Sequence, residues 1–405
     1  MEKFTGLIGI FTLLGIAVLL SNNREKINLR TVFSGLALQF ILAFFILGTS
    51  LGEPVFRALD NAITTLVSFS DAGSTFLFRS YISDTYHPSL ENFAFRTLPT
   101  IIFFSSLISV LYHFGIIQKI VKMFAKIFQK TMFISGTESL SVSGNIFLGQ
   151  TEAPLMVKPF VDKMTKSELM AVMTGGFATA AGGILAIYVS WLSDIPGIAG
   201  HLLTASVMSA PAALVMAKII YPEVEESNTM GDLNIEIEQT TTNAMEALGN
   251  GATTGLKLAA NIAAMLIAFL SFVAMINYLL LFLGTSMEAI FGFLFKPLAW
   301  TMGVPWSEAG VLGTLMGKKI VLTELIAYGD LQQVLAEGLI SERTAIIASY
   351  ALCGFANFGS IGIQLGGIGA MAPNRRGDLA RLVTKAMIGG ALASWLTATI
   401  AGLLL

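Results

Sequence analysis

The chain has 405 residues, of which 54% are hydrophobic and only 12% are charged, with a formal net charge of −2. One soluble core could not bury that much apolar surface, so lipid is expected to solvate much of it, and the composition argues against a soluble enzyme. The single cysteine, Cys353, allows no intramolecular disulfide. Three scattered histidines provide no metal-ligand cluster, so zinc chemistry is not expected.

Eight apolar stretches are long enough to cross about 30 Å of hydrocarbon, for which a helix needs roughly 20 mainly apolar residues. In chain order they cover residues 4–20, 33–51, 94–114, 168–191, 202–220, 252–283, 343–371 and the C-terminal stretch that follows residue 385. Basic residues follow the first stretch instead of preceding it, which indicates a retained helix and not a signal peptide. The sequence therefore predicts an all-α polytopic membrane protein with about eight transmembrane helices.

The positions of Lys and Arg predict the topology, because basic residues beside a span mark its cytoplasmic side. The basic loops 22–30 and 373–385 are therefore expected inside, and both chain termini outside. Residues 53–91, with acidic and turn-forming residues, are expected to form an external connection, and the basic, amphipathic stretch 119–130 is expected at the cytoplasmic surface. Arg343 is the one charge that opposes this scheme.

Two further stretches begin and end on the same predicted side of the membrane, 134–160 inside and 304–335 outside. They predict two re-entrant hairpins of opposite orientation. Each contains an acid near a polar tip and precedes a helix that small residues interrupt, at 178–183 and at 354–359. This order predicts an inverted repeat, which in secondary transporters brings substrate and ion sites to broken helices near the midplane. The alternative is chance, since Gly and Pro are common in membrane helices.

The same features divide the chain into three predicted regions. Residues 1–92 would be N-terminal scaffold helices, residues 93–192 a gate-like region with the first hairpin and broken helix, and residues 193–405 a C-terminal transporter region with the second. The long acidic, polar segment 223–246 has no stable apolar face, and it is expected to be a solvated cytoplasmic connection.

The predicted tip of the first hairpin, residues 149–154, holds an amide, a hydroxyl and a carboxylate between a Gly and a Pro. A charge at the bilayer centre opposes insertion by about 2.5–3.5 kcal/mol, so Glu152 and Glu324 indicate binding sites. Carboxylates accept hydrogen bonds from hydroxyl and N–H groups, and Gln150 can both donate and accept. This set suits a neutral, polyol-bearing heterocycle better than an anion. The alternative for Glu152 is an interfacial acid at the mouth of the hairpin.

Neutral oxygens near the first interruption indicate an ion site. Asn145 precedes the tip by about one turn, and Thr179 lies in the interruption, where unwound carbonyls could complete a sodium shell. On spacing alone, an Asn such as Asn145 would more often stabilise helix packing. In the second interruption, residues 355–360 combine an aromatic plane, an amide and a hydroxyl. Phe355 is expected to pack either on a substrate ring or on a neighbouring helix.

Three segments, residues 149–154, 317–328 and 354–360, resemble the signature sequences of the concentrative nucleoside transporter family. The similarity extends over nearly the whole chain. The second segment keeps the Gly, Lys, Glu, Ala and Tyr of its signature, but Thr323 stands where the family usually has Asn, and Leu325 replaces a common Phe. The resemblance implies a homotrimer with a central scaffold and with peripheral transport domains that move across the bilayer in an elevator-like cycle.

The resemblance also implies roles for individual residues. The residues expected to face the base of a nucleoside are Gln150, Thr151, Glu152 and Ile184. Those expected to face its ribose are Glu324, Phe355, Asn357 and Ser360. The expected sodium ligands are the side chains of Asn145 and Thr179 and the carbonyls of Leu148 and Ala180. Thr323 and Leu325 neighbour Glu324, so the preference for purine or pyrimidine nucleosides stays open.

Asn145 favours sodium as the coupling ion, because proton-coupled members of the family tend to lack it. The expected function is symport of sodium and a nucleoside into the cell across the cytoplasmic membrane, with no enzymatic activity, organic cofactor or nucleic-acid partner. One alternative is a proton-coupled nucleoside symporter, in which Glu152 or Glu324 takes up and releases the proton. Another is a transporter of a different small polar solute. No paired nucleophile and base in the sequence indicates an intramembrane hydrolase.

Overall fold

The computed structural model describes residues 2–49, 52–80, 90, 94–95, 98–230 and 241–405, and the longer regular elements in these residues are helices. The helices of the first half are α1 (Glu2–Leu19), α2 (Leu29–Gly48), α3 (Gly52–Phe78), α4 (Leu98–His113), α5 (Ile116–Met132), α6 (Gly136–Gly144), α7 (Glu152–Leu155), α8 (Lys166–Ala178) and α9 (Gly182–Trp191). Those of the second half are α10 (Ile198–Ile220), α11 (Ala244–Leu281), α12 (Met287–Thr301), α13 (Ala309–Val321), α14 (Glu324–Ala336), α15 (Glu342–Leu352), α16 (Phe358–Met371) and α17 (Arg376–Leu404).

Among the described residues, five segments are long and apolar enough to cross a membrane: α2, α8 with α9, α10, α11, and α17 with the turn before it. Helices α4 and α5 pass the same test together but meet at a bend of 77°. Helix α1 covers the first predicted span, 4–20, to within one residue at its C-terminal end, whereas the predicted span 343–371 is divided between α15 and α16. The prediction of an all-α polytopic membrane protein is confirmed.

Helices α10 and α17 are mostly buried, and they pack against each other and against α8, which is also buried. Small residues are frequent along both, so the helix backbones can approach closely. Helix α11 differs, because it packs along α4, where Gly251 and Gly255 lie against the backbone of Ser106 and Ile102, and exposes large apolar side chains such as Phe272 elsewhere. Helices α10 and α17 therefore form the core that supports the broken helices, while α11 lies at the periphery.

Both predicted hairpins and both predicted interruptions are present. The first hairpin consists of α6, the tip around residue 150, α7 and a 3-10 turn at Lys158–Lys163, and the second consists of α13 and α14. In the helix that follows the first hairpin, α8 ends at Ala178 and α9 begins at Gly182. After the second hairpin, α15 ends at Leu352 and α16 begins at Phe358. Each half of the chain thus contains a hairpin followed by a broken helix.

The predicted external connection over residues 53–91 begins with a feature that the sequence did not indicate, because residues 52–78 form one continuous helix, α3. The ring of Phe56 packs edge-on against His201 of α10, with 4.9 Å between ring centroids, and Asp60 Oδ1 accepts the Gly200 N–H at 3.0 Å. Composition misled here because the acidic and turn-forming residues are spread along an amphipathic helix, which only the spacing of its apolar residues reveals. Residues 81–89 and 91–93 of the predicted connection lie outside the described residues.

The basic stretch 119–130 forms the amphipathic helix that the sequence predicts, as part of α5. Its buried face consists of Ile117, Val121, Ala125, Phe128 and Met132. Its exposed basic residues are Lys119, Lys122, Lys126 and Lys130. Because α5 turns away from α4 by 77°, it leaves the direction of that helix and packs along α6.

The prediction of a solvated connection over residues 223–246 needs correction at Ser227 and Thr229, although the residues next to them are mostly exposed. Ser227 Oγ donates to Glu168 Oε1 at 2.6 Å, at the N-terminal end of α8. The Thr229 carbonyl accepts the N–H of Gly136, the first residue of α6, at 2.9 Å. This part of the segment therefore ties together the beginnings of the first hairpin and the first broken helix. Residues 231–240 lie outside the described residues.

Candidate functional site

The two helix interruptions contact each other. Gly354, in the second interruption, has a φ of +96°, and a Cβ atom there would lie 2.5 Å from the carbonyl carbon and oxygen of Ala178, the last residue of α8. Only glycine combines that backbone conformation with so close an approach. The interruption at residues 179–181 and the one at residues 353–357 therefore belong to one buried site.

Gly354→Ala is expected to destabilise the fold strongly. A non-glycine residue in that backbone conformation is strained by about 1–3 kcal/mol, and the overlap with Ala178 adds to this. The purified variant should melt well below the wild type in detergent or fail to yield monodisperse protein. Gly362→Ala is the control, because that glycine lies in α16 with open space around it. Equal melting temperatures for the two variants would contradict the contact.

A buried carboxylate lies where the second hairpin meets both broken helices. Glu324, the first residue of α14, is 4% exposed. Its Oε1 accepts from the Tyr188 hydroxyl of α9 at 3.1 Å, and its Oε2 accepts from Asn357 Nδ2 at 2.9 Å. Asn357 Oδ1 in turn accepts the Ser360 N–H at 2.8 Å and caps α16. These bonds hold a carboxylate and an amide in fixed positions, and the carboxylate still has unused lone pairs.

The tip of the first hairpin reaches the second broken helix through an amide. Gln150 Nε2 donates to Ser360 Oγ at 3.1 Å, and Gln150 Oε1 accepts from Gln364 Nε2 at 3.2 Å. Gln364 also donates to the Met173 carbonyl of α8 at 3.1 Å. The structure thus brings Gln150, Ser360, Asn357 and Glu324 into one hydrogen-bonded chain, although they are far apart in sequence.

The other predicted substrate residues occupy different settings. Thr151 is half-buried, with its Cγ2 against the backbone of Gly367 in α16. Ile184, near the start of α9, and Phe355, in the second interruption, are buried apolar side chains. Glu152 is exposed at the start of α7, and its carboxylate folds back towards Gly149. Glu152 is therefore outside the chain of contacts that includes Glu324.

The predicted ion ligands surround the first interruption. Asn145 is completely buried and packs against Gly175 of α8. Its Nδ2 donates to the Ser141 carbonyl at 3.1 Å, but its buried Oδ1 has no hydrogen-bond donor within the described residues. Thr179 Oγ1 donates to the Gly175 carbonyl at 3.0 Å, which leaves its lone pairs available. Leu148 and Ala180 are also buried. An unpaired buried amide oxygen requires an explanation, and a cation would provide one.

Sequence reasoning missed three polar residues of this region: Tyr188, Gln364 and Lys319. Tyr188 and Gln364 lie in apolar helices, where an isolated polar side chain is only a weak signal in the sequence. Lys319 precedes Glu324 by five residues and is fully buried. A lysine within a predicted membrane hairpin is itself a signal, since a buried charge needs partners.

Buried polar groups at two contacting helix interruptions, each preceded by a hairpin, are the arrangement of a secondary membrane transporter. Family models match three parts of the chain. Residues 8–81 match the N-terminus of the Na+ dependent nucleoside transporters, residues 94–194 match a nucleoside recognition "Gate" domain, and residues 201–402 match the C-terminus of the Na+ dependent nucleoside transporters.

Curated relatives and solved structures agree with these matches. An uncharacterized transporter of Haemophilus influenzae is 41% identical over all of this chain and 98% of that protein. Sodium/nucleoside cotransporter 1 of Mus musculus is also 41% identical, but the chain spans only 64% of the mouse protein. The structure of CNTnw in an inward-facing, substrate-bound state has a TM-score of 0.91 at 40% identity and covers 100% of this chain and 98% of CNTnw.

A mutant of CNTnw in an outward-facing state has the same TM-score, 0.91, at 39% identity, and covers 100% of this chain and 98% of that one. The fold is therefore one that has been solved in more than one transport state. This chain belongs to the concentrative nucleoside transporter family, a family of transporters and not of enzymes.

Proposed function

We propose that this protein is a symporter that couples inward sodium movement to nucleoside uptake across the cytoplasmic membrane. The observation that carries the proposal is the contact between the two helix interruptions. One interruption adjoins the buried carboxylate of Glu324, and the other adjoins the unpaired amide oxygen of Asn145. A polar solute bound at the first of these positions and a cation bound at the second would both lie beside the two contacting interruptions.

The proposed ribose subsite centres on Glu324. Its two bonds from Tyr188 and Asn357 leave carboxylate lone pairs that can accept hydrogen bonds from ribose hydroxyls. Hydrogen bonds to a charged group contribute about 1.5–3 kcal/mol each when shielded from water. Ser360 adds a hydroxyl on the same side, and Phe355 offers an apolar face on which a sugar or base can pack.

The proposed base subsite centres on Gln150, whose amide can donate to and accept from a nucleobase edge. Thr151 and Ile184 would line the same subsite with a hydroxyl and an apolar surface. Glu152 is exposed, so we propose that it reaches the base only when the tip of the hairpin moves towards α9. Gln150 already makes hydrogen bonds with Ser360 and Gln364, so its amide is positioned before a nucleobase enters and bonds to it.

The proposed sodium site consists of four neutral oxygens: Asn145 Oδ1, Thr179 Oγ1 and the carbonyls of Leu148 and Ala180. The unpaired Asn145 oxygen supports this assignment, because a bound cation would compensate its burial. Thr179 and Ala180 follow Ala178, which contacts Gly354. Sodium would therefore stabilise the interruption that supports the nucleoside site, and the two ligands would increase each other's affinity.

Equilibrium binding tests the proposal directly. The purified protein would be titrated with uridine and with adenosine by calorimetry, in sodium chloride and in choline chloride of the same ionic strength. We expect a lower Kd in sodium, by about 5- to 150-fold, as is typical for coupled sites. Equal affinities in the two salts, with binding that depends on pH, would favour the proton-coupled alternative. No binding of either nucleoside would favour another small polar solute.

Gln364→Leu is expected to weaken nucleoside binding by about 2- to 12-fold, because the Gln150 amide loses a neutral hydrogen bond of about 0.5–1.5 kcal/mol. The effect should depend on the base, so the ratio of uridine to adenosine affinity should change while the sodium concentration for half-maximal uptake does not. Gln39→Leu is the control, since it removes an equally buried amide from α2. An unchanged affinity ratio would exclude Gln364 from positioning Gln150.

We also propose a homotrimer with both termini outside the cell. Cys353 is buried, so a cysteine introduced at the exposed Glu25, between α1 and α2, would be the one accessible thiol in the described chain. Glu25→Cys should react with an impermeant thiol reagent only after cells are permeabilised.

Light scattering of the purified protein would count the copies in the proposed homotrimer, and the exposed apolar surface of α11 supports contact with lipid or with another copy.

A further inference from the structure

Lys319 lies near the C-terminal end of α13 and is completely buried. Its Nζ donates to the Ala351 carbonyl at 3.0 Å, to the Cys353 carbonyl at 2.8 Å and to Ser394 Oγ at 2.8 Å. The Ser394 hydroxyl donates its own hydrogen to the Gly390 carbonyl at 3.0 Å, so towards Lys319 it acts as an acceptor. Three acceptors match the three hydrogens of an ammonium group, and the geometry is that of a protonated lysine.

The acceptors of Lys319 belong to the second interruption. Ala351 and Cys353 lie at the C-terminal end of α15, where the last carbonyls of a helix have no partner within the helix. A positive charge is favourable at that end of a helix. Lys319 therefore provides hydrogen-bond donors and a positive charge to the carbonyls at the C-terminal end of α15.

The first half of the chain places a different chemical group beside its own interruption. There, Asn145 follows the first helix of its hairpin and lies beside the interruption after α8, with an unpaired oxygen in place of an ammonium group. The proposed sodium ligands are one amide oxygen, one hydroxyl and two carbonyls. Around Lys319 Nζ there are one hydroxyl and two carbonyls. The lysine thus provides the charge that a sodium ion would bring to the first half.

We propose that Lys319 is a tethered cation that occupies, in the second half of the repeat, the position that sodium occupies in the first. The inference rests on the proposed function for its comparison with sodium. It implies that Lys319 stabilises the conformation of the second interruption whether or not sodium is bound. It also implies that transport needs one sodium ion per nucleoside. Lys319 acts through the backbone of α15 and is a positioning residue.

Lys319→Asn tests the proposal, because it replaces the ammonium group by an amide. The second interruption then has the same kind of side-chain oxygen ligand for a cation that Asn145 provides beside the first. The variant should require a second cation. We expect the Hill coefficient for sodium activation of uridine uptake to rise from about 1 to about 2, with a larger sodium-dependent increase in melting temperature than the wild type shows. Lys319→Met, which offers no oxygen, should lose transport at every sodium concentration.

Lys318→Asn is the matched control. Lys318 neighbours Lys319 but pairs with Asp330 at 2.7 Å and with Glu288 at 3.5 Å, away from the interruption. Its replacement should leave the Hill coefficient and the sodium dependence of melting as in the wild type. A folded Lys319→Asn variant that behaves like Lys318→Asn in both measurements would show that Lys319 is only structural, and would overturn the proposal.

Two further measurements keep the outcomes distinct. If Lys319→Asn does not fold, the ratio of radiolabelled sodium to uridine taken up by the wild type decides the question. A ratio of one supports a tethered cation, and a ratio of two overturns it. If the wild type shows no sodium activation at all, the proposed coupling ion is wrong. The melting temperature of Lys319→Asn in sodium chloride and in choline chloride then tests the cation position alone.

Discussion

Glu324→Gln is expected to reduce the kcat/KM of nucleoside uptake by about 10- to 150-fold while the protein still folds and inserts. The factor corresponds to the loss of one hydrogen bond to a charged group, about 1.5–3 kcal/mol. The fold should tolerate the change. Asn357 Oδ1 accepts the Ser360 N–H, so Asn357 must donate to residue 324. The glutamine oxygen can take that bond, and the glutamine amide can donate to the Tyr188 hydroxyl.

The substrate, in contrast, would lose acceptors. The carboxylate has about four lone-pair positions, of which Tyr188 and Asn357 use two, whereas the glutamine oxygen has two and gives one to Asn357. Uptake of radiolabelled uridine into proteoliposomes measures the effect, with melting temperature as the check on folding. Glu337→Gln, at the exposed end of the same helix, is the control and should transport normally. Unchanged kinetics for Glu324→Gln would remove Glu324 from the substrate site.

Asn145→Ala is expected to raise the sodium concentration for half-maximal uptake by about tenfold or more, which corresponds to about 1.4 kcal/mol of lost sodium binding. The reason is the unpaired Oδ1, which has no other compensation among the described residues. Stability gives a second signature. Without sodium, two effects of the substitution oppose each other, because the variant loses an unpaired oxygen but also the bond from Asn145 Nδ2 to the Ser141 carbonyl. Sodium should stabilise the wild type but not the variant.

The control for Asn145→Ala is Ser143→Ala, which removes a buried, unpaired hydroxyl from the neighbouring helix α6. It should keep the sodium dependence of both uptake and melting. A normal sodium response in Asn145→Ala would mean that Asn145 only packs between helices, which is the alternative that its spacing left open.

The sequence predicted the local features of this fold well, because they depend on local composition. Small residues mark both interruptions, and polar tips with acids mark both hairpins. Helix α3 was not predicted, since its acidic and turn-forming residues were taken as signs of an external connection, whereas they are tolerated on an amphipathic helix. The contacts of residues 223–229 with the beginnings of α6 and α8 were not predicted for a related reason. Polar residues in this segment pair with buried groups, and sequence composition does not reveal such partners.

Residue chemistry and the signatures singled out the candidate residues in separate segments, but they did not predict which of these residues contact one another. Glu324 and Asn357 are 33 positions apart, and only the packing of α14 against the second interruption brings them to 2.9 Å. Gln364 and Lys319 were not assigned roles, because a single polar residue in an apolar helix does not indicate its partner. Glu152 lies in the most specific signature but is exposed, so a motif alone does not establish contact with the other polar groups.

Proteoliposome uptake tests the central claim most directly. Purified protein would be reconstituted, and the accumulation of radiolabelled uridine and adenosine would be followed with an inward sodium gradient, an inward proton gradient or neither. We predict accumulation above the external concentration with the sodium gradient alone. Accumulation with the proton gradient alone would contradict sodium coupling, and no accumulation of either nucleoside by folded, correctly inserted protein would contradict nucleoside transport.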